Sequence, residues 1–155
     1  MSCNITKSWL LLLSFLIPIS FIQAQIEKGE LFKRKKAISE ISPTEKHHYT
    51  INLEKDQFAF FRLMQKGVDM KITTYDSEGE KMEDFDTPNG KNGPELFTLI
   101  SSKQGVYVVE VSTFDEKEPS GKYEITAELI KPKATLPNER VDEIFARWDS
   151  NETPG

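Results

Sequence analysis

The chain of 155 residues is poor in the side chains that usually carry chemistry: one cysteine, Cys3, and two histidines, His47 and His48. Cys3 precedes the first apolar run instead of following it, which argues against a lipoprotein. If residues 1–24 are removed as a signal peptide, the remainder holds no thiol, no disulfide and no cysteine-ligated metal. An exported domain of that kind must stand on its own core, and it fits a bacterial periplasm or cell exterior better than a disulfide-rich secreted scaffold. Adjacent histidines on a strand face opposite sides and cannot easily chelate one ion. Their plain reading is two solvent-exposed strand positions. A charge relay needs a nucleophile, a base and an orienting group, yet neither histidine lies in a Gly-rich or elbow-like context. No Ser-x-x-Lys and no Gly-x-Ser-x-Gly occurs. Charge of one sign is also scarce. The formal net charge is −5, and since Lys7 is the one charged residue of residues 1–24, its removal takes this to −6. That modest balance argues against nucleic acid or an anionic membrane as the main partner, a local basic patch aside.

Long apolar stretches are confined to the start. Lys7, the run Trp9–Ile22 and the small residue Ala24 predict a signal peptide over 1–24, cleaved near Ala24. An uncleaved anchor is the alternative, and the run is short for a spanning helix. Gln25–Lys36 is polar and ends in Lys33-Arg34-Lys35-Lys36, which reads as a solvated linker or an edge strand.

From Ala37 to Lys131 the pattern is short apolar alternation broken by polar turns. The central stretch is Phe58–Tyr75, in which Met70, Ile72 and Thr74 oppose Asp69, Lys71 and Thr73. A period of two marks half-buried strands. Ala37–Ile41 alternates, and Tyr49, Ile51 and Leu53 share a face. Tyr75–Lys81 is a hairpin signal with Gly79 at its tip, and Met82 and Phe85 are core candidates on the return strand. After the polar loop Asp86–Glu95 come Leu96–Ile100 and a strand from Val106, apolar on both faces at its start, as a central strand would be. Gly121–Ile130 closes the domain with Tyr123, Ile125, Ala127 and Leu129 on one face. About seven or eight strands at such spacing predict an all-β, two-layer antiparallel β-sandwich, jelly-roll-like, over 37–131. A five-stranded barrel is the alternative, disfavoured by the strand count.

Asp69, Asp76, Glu78, Asp84, Asp86 and Asn89 fall in or beside turns, where oxygen donors suit Ca²⁺, although they do not match the calcium-loop pattern. The two readings of these residues are a bound Ca²⁺ and a plain acidic rim. Paired carboxylates for glycoside chemistry need a cleft. Asp86–Gly93 could form a sugar- or peptide-binding rim. Tyr75 and Phe85 read as packing residues rather than a stacking platform. No catalytic, cofactor-binding or metal-binding residue is assigned, and the chain reads as lacking a catalytic constellation. Over 132–155 a linker leads into an amphipathic helix, with Val141, Ile144, Phe145 and Trp148 at i, i+3, i+4, i+7. So short a helix needs a docking surface on the sandwich or a following domain.

The series Phe58–Gln65, Gly67-Val68-Asp69-Met70, Tyr75-Asp76-Ser77-Glu78-Gly79, Asp86-Thr87-Pro88-Asn89-Gly90, Gly93-Pro94-Glu95, Gly105-Val106-Tyr107 and Gly121-Lys122-Tyr123 resembles the bacterial pre-peptidase C-terminal domain family over about Lys36–Lys131. That resemblance implies a non-catalytic jelly-roll sandwich attached to secreted hydrolases, aiding targeting, substrate contact or stability, with Ca²⁺ bound in some relatives. No ligand set carries over. The segment 137–155, through Val141–Asp149 and Thr153-Pro154-Gly155, is similar to the opening of the serine beta-lactamase-like hydrolases. This second resemblance implies a front end of such a hydrolase, with the nucleophile and lysine further downstream. A stand-alone exported carbohydrate-binding or adhesion module, contacting a cell-surface glycan or protein, is the first alternative; a small hydrolase with an unrecognised site is the second.

Overall fold

The structure, a computed structural model, describes residues 24–88 and 90–133. The expected signal peptide up to residue 23, Asn89 and the amphipathic helix at 141–148 lie outside the described residues. Nine strands follow one another: β1 (Ala24–Glu30), β2 (Lys36–Ile41), β3 (Glu45–Leu53), β4 (Gln57–Lys66), β5 (Met70–Tyr75), β6 (Lys81–Phe85), β7 (Asn92–Ile100), β8 (Gly105–Thr113) and β9 (Gly121–Pro132). They form two open sheets, β1-β3-β8-β5-β6 and β2-β9-β4-β7. The chain crosses between the sheets at every step except β5 to β6, so each sheet is completed only by strands distant in sequence. The result is an all-β sandwich, and the open sheets exclude the barrel.

The core lies between the sheets. Period-two alternation turns Ala59, Phe61 and Leu63 of β4 inward against Tyr107, Val109 and Val111 of β8, all without exposed surface. Phe61 stacks on Phe97 at 4.8 Å between ring centroids with planes 7° apart. The strand read as apolar on both faces, β8, sits mid-sheet between β3 and β5. Met70, Ile72 and Thr74 are buried as the alternation requires.

Several expectations change. The stretch 25–36 is not a linker: Ala24–Glu30 is an edge strand running parallel to β3, and Leu31 after it reaches the core. The sheets are therefore not wholly antiparallel. A parallel neighbour requires the chain to cross over between the two strands, and β2 in the opposite sheet is that crossover. Met82 is 42% exposed, because β6 is a short edge strand whose return is offset by a bulge at Tyr75. Strand β7 starts at Asn92, shortening the expected loop at its end. In β9 an extra residue, Glu128, falls opposite the Phe60/Phe61 step of β4. That bulge inverts the alternation, so Ile130 rather than Leu129 packs on the core.

Candidate functional site

The two histidines were the only candidate imidazole bases, and the fold separates them. His47 is in phase with Tyr49, Ile51 and Leu53, so β3 turns it into the sandwich, where it has no exposed surface. Its Nδ1 lies 2.7 Å from the Tyr123 hydroxyl, which lies 2.9 Å from that of Tyr49. Ser39 stands opposite Tyr123 in the β2–β9 ladder. Nε2 has no hydrogen-bond partner, and the nearest carboxylate, Glu45, stands 3.6 Å away. Burial, helped by the Lys28 charge, pushes the His47 pKa down to about 4, against a weaker opposing pull from Glu45. Burial likewise raises the Tyr123 phenol far above its ordinary range. A serine, a histidine and a carboxylate thus lie near one another, but not as a relay. The imidazole Nδ1 meets the Tyr123 phenol rather than a serine, and the imidazole is sealed from any substrate.

His48 faces the other way, onto the outer side of the five-stranded sheet. Register aligns Glu27, His48, Glu110, Thr73 and Asp84 in one row across β1, β3, β8, β5 and β6. His48 Nε2 is 2.7 Å from Glu110 Oε2, and Lys46 Nζ is 2.9 Å from Glu110 Oε1. Burial alone would raise the Glu110 pKa, but the hydrogen bonds from Lys46 and His48 outweigh it and the net shift is downward. Asp84 accepts from Lys81 at 2.7 Å, from Lys71 at 3.0 Å and from Thr73 at 2.8 Å, and its carboxyl is held far below the usual range. Such a row of matched charges knits neighbouring strands together. Glu110 is engaged with His48 and Lys46, and Asp84 with Lys71, Lys81 and Thr73. The exposed reading of the histidines is corrected accordingly, fully for His47 and largely for His48, whose side chain is 13% exposed.

Among the described residues the oxygen donors expected around Ca²⁺ do not gather at one place. Asp76 caps its own hairpin, accepting from the N–H groups of Glu78 and Glu80, each at 2.9 Å. Glu78 pairs with Lys103, and Asp84 lies in the charged row. Asp69 and Asp86 stand instead at the far end of β5, near Glu118, which pairs with Lys91 at 3.0 Å. Burial, then the Asp86 and Glu118 charges, raise the Asp69 pKa, and its Oδ1 has no hydrogen-bond partner. Among the described residues no group of three or more His, Cys, Asp or Glu has the geometry of a metal site.

Of Asp86–Gly93, expected as a binding rim, Asn92 and Gly93 belong to β7, and the described residues before them are pinned from below. Glu95, buried on β7, accepts from the Thr87 N–H at 2.8 Å and from Gln65 at 3.2 Å, while the Gly67 N–H donates to the Lys91 carbonyl at 2.9 Å. Sequence reasoning missed this Gln65–Glu95 pair, though both residues fall in phase with inward neighbours, Leu63 and Phe97. Exposed aromatic rings among the described residues are Phe32 at 49% and Phe114 at 53%. Both are in loops, at opposite ends of β3's span, so they do not form one aromatic patch.

No family model matches the chain, and no curated protein matches it. Solved structures are similar to the chain at low sequence identity. The pre-peptidase C-terminal domain of a collagenase from Bacillus anthracis matches at TM-score 0.47 and 17% identity, over 70% of this chain and 96% of that one. PliG of Aeromonas hydrophila, a periplasmic inhibitor of g-type lysozyme, matches at TM-score 0.48 and 9% identity, over 70% of this chain and 100% of its own. CorA of Methylomicrobium album BG8, a surface-associated copper-binding protein, matches at TM-score 0.50 and 10% identity, again over 70% and 100%. These are weak, distant likenesses; the last bears on the fold alone, and the first two carry no argument. The segment resembling a beta-lactamase-like hydrolase is outside the described residues.

Proposed function

We propose that this chain is a non-catalytic accessory β-sandwich of an exported bacterial protein, jelly-roll-like in the manner of the pre-peptidase C-terminal domains. In this reading it precedes a serine beta-lactamase-like hydrolase and aids its targeting, substrate contact or stability. The observation that carries the proposal is the fate of the imidazoles: His47 is enclosed in the core and His48 is tied to Glu110. Neither is placed to take a proton from a nucleophile within reach of a substrate. Signal-like residues 1–24 support export, and the sequence motifs over 36–131 support the family reading. The physical route to function is tethering, which raises the local concentration of a linked module near its target.

The test offers the full chain ester, β-lactam and peptide substrates. No turnover is expected. Turnover that disappears in Ser39→Ala or His47→Gln, with the variant still folded, would overturn the proposal.

A further inference from the structure

We propose that the outer face of the four-stranded sheet, around Phe58 and Phe60, seats the chain's own C-terminal segment Val141–Trp148. On β4 the inward positions are Ala59, Phe61 and Leu63, so Phe58 and Phe60 point away from the core. Both nevertheless have 0% exposure. Their cross-strand neighbours on this face are Ile100 and Thr98 of β7 and Lys131 and Leu129 of β9. Side chains standing upright on a sheet shield the flanks of a ring but leave its tip open. Full burial therefore calls for a cover lying across the face. All nine strands belong to the two sheets, so among the described residues no third layer supplies it. The carboxylate of Glu128, paired with Arg62 at 2.9 Å on the same side, is also only 10% exposed.

The chain itself offers the occupant. It leaves β9 beside the start of β4, where the Lys133 N–H donates to the Asp56 carbonyl at 2.8 Å. Seven residues, 134–140, then precede Val141. Extended, they span at most about 25 Å, ample to bring a helix back over Phe58. Val141, Ile144, Phe145 and Trp148 form one apolar stripe, roughly 12 Å long as a helix. Two phenylalanines spaced about 7 Å apart on the strand fit beneath it. A tethered segment also outcompetes a free partner through its effective concentration. The inference rests on the burial of Phe58 and Phe60 and is independent of the accessory-module reading.

The test uses the full chain carrying Trp9→Phe, which leaves Trp148 as the single tryptophan. Trp148 emission is expected to be blue-shifted and protected from acrylamide. Phe58→Ser and Phe60→Ser are each expected to move it to the wavelength of water-exposed tryptophan and to raise the quenching constant several-fold. Should those variants unfold, Phe145→Ser, which leaves the sheets untouched, is expected to give the same shift with an unchanged far-ultraviolet spectrum. Water-like emission from the folded parent chain would overturn the proposal. So would protection lost on dilution, which would assign the cover to a second copy, or protection indifferent to Phe58 and Phe60.

Discussion

His47 shows how much one residue's surroundings alter its chemistry. Its pKa falls from 6.5 to about 4 because burial disfavours the imidazolium. Between those two values the unfolded chain binds a proton that the folded chain refuses, so stability drops as the pH falls from 6.5 to about 4 and this contribution is level below. The loss through this one group is about 3 kcal/mol. Urea unfolding of His47→Gln is expected to show a flatter pH dependence than the parent across that window; parallel curves would contradict the assignment. Phase was the signal here: His47 shares the parity of Tyr49, Ile51 and Leu53, whose inward face was legible from the sequence. Polarity alone pointed to solvent. The hydroxyl that meets Nδ1 belongs to Tyr123 of β9, 76 residues away, and no local pattern reveals it.

At the scale of elements, strands were legible wherever one face is buried, because the two-residue period then stands out. Edges were not. Ala24–Glu30 is polar on both faces, and its pairing with β3 shows only in the assembled sheet. The β9 bulge was equally hidden, since inserting Glu128 changes parity without any mark in composition. Gly121, by contrast, has an identifiable purpose. A Cβ there would stand 2.3 Å from Val68 Cγ1 and 3.1 Å from the Lys66 carbonyl, so the start of β9 approaches the β4–β5 connection too closely for a side chain. Val68 is itself fully buried and has no room to yield. Gly121→Ala is expected to cost about 1–3 kcal/mol, as overpacking usually does. A denaturation midpoint equal to the parent's would show that the two segments separate freely.

For the whole molecule, the acidic excess is distributed rather than gathered. Asp84, Glu110 and Glu78 are each matched to lysines, and Asp76 caps its own hairpin, away from Asp69 and Asp86 near Glu118. Specific binding to the native state must raise the melting temperature. Millimolar Ca²⁺ is therefore expected to leave the thermal midpoint where an equal ionic strength of NaCl leaves it. A rise that Asp69→Asn or Asp86→Asn abolishes would place a metal site at the far end of β5 and refute this.

What the amino-acid order alone determined was class and parity: an all-β chain, sandwiched apolar faces, and no relay motif. Both follow from local periodicity, which one strand displays by itself. Which strands are neighbours, that His47 is enclosed while His48 joins a charged row, and that two phenylalanines are buried on an outward face were decided only by tertiary structure. The reason is that successive strands enter opposite sheets, so nearly every lateral contact joins residues that sequence proximity cannot pair.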